Sequence, residues 1–599
     1  MTGLKLRHKL LIAFIAVGLV PLLVFQFITM DRFRGELETS IFNQLTSVRE
    51  IKKKQVEQFF HNRQSDMSVI VDTVSILRQE GFKKLFAVRE IKKTAVERYF
   101  TTIEDQMRTF SENLMVVDAM KSYKNAFRNF RQENGITPQM LNTMRRHLAA
   151  YYTEDFSNEY KNQNEGRSPE ALQYFKQLDD DSIAFQYNYI SSNSHPLGSK
   201  HLMDRASDNS TYSTIHGKVH PRIRNYLEKF GYYDIFLCDP DTGDIVYSVF
   251  KELDFSTSLI NGPYSQTNFG RAFREANRAG NKDAIVLVDY EKYTPSYEAP
   301  ASFIASPIYD GDTKVGIAMF QMPIDRLNTI MNERAGMGDT GETYLVGPDH
   351  LMRSDSFFAQ ATHSVVTSFK NPDAGRVDTD GVRGALNGNT NAEVILDFQK
   401  KPVLSAYTPL KVGRSIWALM AEMNVAEAFC PKYENGKYFF EQWIEEYGYA
   451  DLYLVNPDGF VFYSVKQHED FQTNLLTGKY NQTNLGRLFQ KTVETKSFSV
   501  ADFEIYEPGG NHPAAFIAQP VLNENGQVET IVALKLSIDS INEVMQQRAG
   551  MGLTGETYLV GPNHLMRSDS FLNPENYSVE ASFANPEKGR IETAAANDA

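Results

Sequence analysis

Cysteine is almost missing from these 599 residues: there are two, Cys238 and Cys430. Two thiols cannot make a disulfide framework, and neither sits in the CxxC context of a redox or zinc site. Cys238 lies in the strand-like run YYDIFLCDP and is expected to pack as a small buried hydrophobe. Positive charge is also in deficit. Lys and Arg number 62 against 75 Asp and Glu, a net charge of −13 with pI near 5.5, which argues against a nucleic-acid-binding body. No GxSxG elbow or HExxH helix occurs, and the scattered Ser, His and Asp are too abundant to count as a triad, so no enzymatic activity is expected. His195, His201, His216 and His220 are dispersed among turn-forming residues without metal-ligand spacing. Neither metal nor cofactor is expected.

What is present is a long chain with ample apolar surface, 12% aromatic with 30 Tyr and 40 Phe, so disorder is not the default. Its length exceeds one hydrophobic core, and roughly four domains of about 150 residues are the starting expectation. Residues 10–28 read LLIAFIAVGLVPLLVFQFI, long enough to span a bilayer, with Pro21 a possible kink. The run exceeds a signal-peptide core and no small-residue cleavage site follows, so an uncleaved anchor is expected. Lys5, Arg7, His8 and Lys9 before it place the N-terminus in the cytoplasm and the rest outside.

From Asp31 to about Phe156 apolar residues recur every three or four positions, the texture of helices. VREIKKKQVEQFF from Val48 is echoed by VREIKKTAVERYF from Val88. Such stripes predict a helical hairpin or bundle, with the EIKK runs as solvated faces. Residues 157–220 are rich in Asn, Gly, Pro and Ser and read as a connector with a short helix near Glu170–Leu178. From Pro221 the order is helix, strand, DPDTGD turn, strand, crossing segment and three strands, closed by the helix DRLNTIMNER. That is the order of a PAS-like α+β domain, an antiparallel sheet with helices on one face.

The unit is repeated. FGYYDIFLCDPDTGDIVYSV is answered by YGYADLYLVNPDGFVFYSV, and RAGMGDTGETYLVGPDHLMRSDS from Arg334 by RAGMGLTGETYLVGPNHLMRSDS from Arg548. Gly336, Gly338 and Gly341, and again Gly550, Gly552 and Gly555, spell GxGxxG. A dinucleotide fingerprint follows a strand and opens a helix. Here a helix precedes and the strand ETYLVG follows, so these glycines are expected to cap a helix and turn into a sheet. DPDTGD lacks the spacing and distal Glu of a calcium loop and reads as a hairpin turn.

Anchor, VREIKK repeats, GYYDIFLCDPDTGDIVYSVFKELDF, GMGDTGETYLVGPDHLMRSDS and VLSAYTPL together resemble the extracytoplasmic double Cache regions of bacterial transducers, methyl-accepting chemotaxis proteins above all. The resemblance implies a cytoplasmic N-terminus (1–9), a transmembrane helix (10–29) and a helical extracytoplasmic segment with connector (30–220). A first double Cache unit (221–430, distal 221–334 and proximal 335–430) and a second, C-terminally truncated one (437–599) follow. It implies a ligand-sensing input region in the inner (cell) membrane, a small-molecule ligand and a homodimer. The input of a sensor histidine kinase or membrane cyclase is the alternative, and a cell-surface adhesion or scaffold protein is a further one. By the same resemblance the ligand lies in the membrane-distal subdomain, at Asp289, Tyr290, Tyr293, Tyr297, Ser302 and Phe303. The aligned positions of the second unit are Asp502, Phe503, Tyr506, Ala515 and Phe516, with core packing the alternative for Phe303 and Phe516.

Overall fold

The computed structural model describes residues 5–598 as α+β, a long N-terminal helix followed by three antiparallel sheets. The chain divides into two compact units, one of Met1–Leu77 with Cys430–Ala599 and one of Arg78–Phe429. In Arg78–Phe429 the first sheet has the order β2-β1-β5-β4-β3, from Asp234–Cys238 (β1), Ile245–Ser248 (β2), Val286–Lys292 (β3), Pro300–Asp310 (β4) and Thr313–Gln321 (β5). The hairpin β1–β2 turns through DPDTGD with Gly243 at φ +77°, and Asp239 there is held by Lys124 at 2.9 Å and Arg128 at 2.8 Å. The turn is thus a hairpin closed by two helix-borne cations.

Both faces of this sheet are covered, where one was expected. On one face Phe269 of the helix Asn268–Arg278 packs on Phe236 and Phe303, with centroids 4.6 and 4.4 Å away. On the other, Phe110 meets Phe320 at 5.1 Å and Tyr123 stacks on Tyr247 at 5.1 Å. The reason is written in β1, where Ile235, Phe236 and Leu237 are apolar in succession, so both faces need burial. A second sheet, β6-β9-β8-β7, follows from Glu342–Val346 (β6), Asn391–Leu396 (β7), Pro402–Val412 (β8) and Ser415–Asn424 (β9).

The other unit repeats the first sheet as β11-β10-β14-β13-β12, from Tyr449–Val455 (β10), Val461–Ser464 (β11), Ser499–Tyr506 (β12), His512–Leu522 (β13) and Val528–Leu536 (β14). Even the helix caps repeat. Thr267 accepts the Gly270 amide at the start of one helix and Thr483 the Gly486 amide in the other. Residues 556–560, the counterpart of β6, form a single bridge, Val560 to Met566.

The duplicated GETYLVGP-HLMRSDS stretch builds a joint. Gly347 leaves room for the Arg353 guanidinium, since a Cβ there would lie 2.2 Å from its Cζ. Arg353 then reaches Asp289 on β3 at 2.8 Å, Asp349 at 3.0 Å, and Trp417 of β9 donates to the same Asp289 at 3.1 Å. Arg353 ties the first sheet to the second. Gly561, Arg567 and Asp502 repeat the device, with the Arg–Asp contact at 2.8 Å. The GxGxxG glycines open no helix. Gly336 and Gly338 take φ +79° and +65° between the helix Ile324–Met331 and β6, and the Asp339 and Thr340 amides donate to the Glu427 carboxylate at 2.6 and 2.7 Å.

Two helical expectations are revised. The VREIKK repeats lie on one unbroken helix, Leu6–Glu112, because nothing in it short of Asn113 stops a helix, and Pro21 sits inside it. One lysine of each EIKK run is buried, Lys52 and Lys92, while Lys53 stays exposed and Lys93 half-buried. Lys52 donates to the Val544 carbonyl at 2.6 Å, and Lys92 to Ile330 and Glu333 at 2.5 and 2.6 Å. Val544 and Ile330 are in the last turns of matching helices, whose free carbonyls attract a cation, so the helical repeat exists to serve the domain repeat. Residues 157–220 hold the helices Ser157–Gln163, Ala171–Lys176, Asp180–Gln186 and the start of Thr211–Phe230. Buried Phe185, Tyr189 and Tyr212 draw this polar stretch onto the first sheet domain.

Candidate ligand cavity of the first sheet domain

A cavity of about 370 Å³ opens at the end of the first sheet, between the loop after β2, the turn before β4 and the helices of residues 138–202. Tyr151 and Phe156 form one wall, flanking the π-helical turn Tyr152–Phe156, an irregularity frequent at functional sites. Tyr297 stacks on Phe156 at 5.2 Å, and Tyr233 on Phe250 at 5.6 Å. Tyr297 stands at φ +56° and Lys251 at +60°, conformations that non-glycine residues rarely adopt. Such strain persists where something else requires the side chain.

Two lysines and one glutamate charge the lining. Lys251 donates to the Ser248 carbonyl and lies 4.6 Å from the centre of the Tyr247 ring, and Lys200 donates to Asn193 O at 2.7 Å. Burial lowers both ammoniums. Glu252, half-buried in the wall, accepts from Tyr233 at 3.0 Å. Behind it are Asp254, which accepts from Tyr293 at 2.6 Å, and Asp234, which accepts the Ile235 and Val249 amides at 2.6 and 2.8 Å. Burial pushes all three carboxyls up, Asp254 to about 6, and the charges of Asp254 and Asp234 push Glu252 further. Asp254 Oδ1, Gln321 Oε1 and Asn268 Oδ1 are buried acceptors without a donor. Lys251, whose charge acts on Asp234, donates to the Ser248 carbonyl, and these three acceptors are left without donors.

Of the residues singled out from the sequence, Tyr297 lines the cavity, and Tyr293 and Phe303 lie in the layer beneath, with rings 5.2 Å apart. Asp289, Tyr290 and Ser302 are not brought there. Asp289 is taken by Arg353, Tyr290 packs against Trp417 at 6.1 Å, and Ser302 donates to Val288 O at 2.7 Å. A register shift between Val288 and Glu291 re-aims β3 at this point. In the other unit Tyr506 donates to Asp470 at 2.5 Å and packs on Phe516 at 4.9 Å, Asp502 holds Arg567, and Phe503 and Ala515 are buried.

Sequence reasoning missed Tyr233, Lys251, Glu252 and Ser296. Aligning the copies would have marked them, because the frame is kept and these positions are not. Asp234, Asp254, Asn268, Tyr293 and Phe303 recur as Asp451, Asp470, Asn484, Tyr506 and Phe516. Tyr233, Lys251, Glu252, Ser296 and Tyr297 become Ala450, Gln467, His468, Gly509 and Gly510. His468 lies 3.5 Å from where a Gly509 Cβ would stand, so an imidazole fills that corner. Another cavity, about 390 Å³, borders Glu342, Asp397 and Glu422 of the second sheet. Its carboxylates are answered by the chain itself: Glu422 by Tyr344 and Ser405, Glu342 by Ser356, Asp397 by the Lys401 amide.

No protein-family model and no curated protein matches the chain. Among solved structures it is similar to the ligand-binding domain of the Pseudomonas fluorescens chemoreceptor CtaA in complex with L-isoleucine, at 15% identity and a TM-score of 0.23, covering 34% of this chain and 72% of that one. The periplasmic sensory domain of the Campylobacter jejuni chemoreceptor Tlp1 is similar at 13% identity and 0.25, covering 49% and 93%. The ligand-binding domain of the Pseudomonas aeruginosa amino acid chemoreceptor PctC in complex with GABA is similar at 11% and 0.24, covering 37% and 84%. At TM-scores this low the likeness decides nothing about this chain's ligand.

Proposed function

We propose that the chain is the ligand-sensing input region of a membrane-anchored signal transducer of chemoreceptor type, and that the cavity of the first sheet domain takes a small organic amine. The observation that carries this is the set of aromatic walls around Glu252, at lining positions that the sister domain has exchanged, in front of a buried carboxylate pair that both domains keep. An ammonium beside Glu252 would give that carboxylate a donor, and the faces of Tyr151, Phe156 and Tyr297 would add cation–π attraction. The chain's chemistry in this reading is binding, without catalysis.

Residues 10–28 serve as the anchor, inside a helix that is the one segment among the described residues long and apolar enough to cross a membrane. The N-terminus is cytoplasmic, the sheets lie outside, and a second copy provides the reference against which the long helix shifts. Contacts run from the cavity to that helix without a gap: Tyr293 and Phe303 to β3 and β4, Asp289 to Arg353 and Trp417, Trp417 to Phe100 at 5.7 Å. A coupling of about 1–3 kcal/mol along such a route is enough for a receptor. An input region of a sensor histidine kinase is served by the same geometry.

Thermal unfolding of the detergent-solubilised chain against a panel of primary amines, amino acids and neutral isosteres tests the reading. A saturating amine at about 100 times its Kd adds about 2.7 kcal/mol. A shift from neutral isosteres equal to that from amines would refute the amine assignment, and a panel without effect would refute the sensor.

A further inference from the structure

One central-strand position separates the two sheet domains by charge. Gln321 pairs across the sheet with Asp234 of β1 and Phe303 of β4. Its counterpart Lys535 pairs with Asp451 of β10 and Phe516 of β13. Direct cross-strand partners have Cβ atoms about 4.5–5.5 Å apart on the same face, so Lys535 rises beside a buried carboxylate where Gln321 offers an amide. The exchange is not isolated. Gln321 donates to Ser296 Oγ at 3.2 Å and leaves Oε1 unanswered, and Ser296 itself is replaced by Gly509.

We propose that Lys535 is a tethered ammonium, holding in the second domain the place that the first domain leaves for the ammonium of its ligand, so that the second domain is self-occupied and takes none. This rests on the amine reading of the first cavity. Lys535 Nζ lies 5.8 Å from the centre of the Tyr506 ring, and the Tyr506 hydroxyl is hydrogen-bonded to Asp470. Asp470 Oδ1 keeps no hydrogen bond, as Asp254 Oδ1 keeps none, so the lysine acts on the acidic corner through its charge and not through a direct bond. The charged groups facing it are Asp451, Asp470 and Glu580, which oppose the lowering of its ammonium by burial. With His468 against Gly509, the corner that Glu252 and Ser296 share in the first domain is filled from within.

The full chain in detergent, scanned calorimetrically, tests this with variants at both positions. Lys535→Met keeps the stem and loses the charge, and is expected to lower the transition of the unit containing the second sheet by about 2–4 °C, the equivalent of about 1 kcal/mol in a domain of 150–250 residues. Lys535→Ala should lose at least as much and regain part of it, saturably, in methylammonium chloride compared with sodium chloride at matched ionic strength. Wild type measured in the same two salts subtracts any effect on the first domain. Gln321→Lys should raise the transition of the first domain and abolish its response to amines. An unchanged Lys535→Met, or equal recovery of Lys535→Ala in both salts, overturns the proposal. If the wild type answers no amine, the reading of the first cavity fails, and methylammonium rescue of Lys535→Ala still decides the role of Lys535.

Discussion

Tyr297 and Gly510 stand at the same corner of their respective sheets, with φ +56° and +97°. Glycine adopts that conformation freely, whereas a tyrosine pays roughly 1–2 kcal/mol for it. The domain with Gly510 has Ala450, Gln467 and His468 around the corner, and the domain with Tyr297 has Tyr233, Lys251 and Glu252. Lys251 and its counterpart Gln467 share a positive φ, +60° and +50°, so the two corners differ in strain at Tyr297 alone, and in charge and aromatic content around it. The proposed ligand gives the strained Tyr297 a role that the Gly510 version does not need.

The largest contrast should come from the joint. Arg353 is buried, touches two carboxylates and neighbours Trp417, so Arg353→Leu, which strands Asp289, is expected to cost about 3–5 kcal/mol. Arg567 faces an Asp502 that is 56% exposed, so Arg567→Leu should cost about 1 kcal/mol or less. Guanidinium denaturation with the transitions of the two units followed separately measures both, and equal losses would break the distinction.

Acid–base behaviour sharpens the comparison next. Asp254 rises from 3.8 to about 6 on folding, so the native state binds the extra proton between those values and stability falls as pH rises through that window. At about 1.4 kcal/mol per pH unit the loss is about 3 kcal/mol by neutral pH. Asp254→Asn should flatten the profile between pH 4 and pH 7, read by thermal melts of the ligand-free chain. A steeper slope in the variant would contradict the burial argument.

Smaller effects should be equal in the two units, because they probe the shared frame. Gly347→Ala and Gly561→Ala each place a Cβ against an arginine, 2.2 and 2.3 Å from Cζ, and each should cost about 1–3 kcal/mol by overpacking. Thr267→Ala and Thr483→Ala each remove one helix cap for about 1 kcal/mol, detectable as earlier amide exchange in the first turn.

The sheets were legible because strand periodicity, the DPDTGD turn and the duplication all point the same way. The packing of residues 157–220 was not, since Asn, Gly and Pro signal turns while Phe185, Tyr189 and Tyr212 fold those turns against a sheet that only tertiary contact reveals. Of the residues singled out from the sequence Tyr297 lines the cavity, whereas Tyr293 and Phe303 are fully buried in the core beneath it. Asp289 misled, because its alternation on β3 is broken by a bulge, and its partner Arg353 lies in the glycine-rich stretch that reads as a turn. Glu252 was hidden in FKELDF, where an acidic residue after a strand looks solvated until it is set beside VKQHEDF.

Isothermal titration of the best-binding primary amine into the full chain is the most direct test of the claim that one sheet domain senses and its twin does not. One site per chain is expected, unaffected by His468→Gln, tighter at pH 7 than at pH 5, and lost in Glu252→Gln. Two equivalent sites, or undiminished binding to Glu252→Gln, would contradict it.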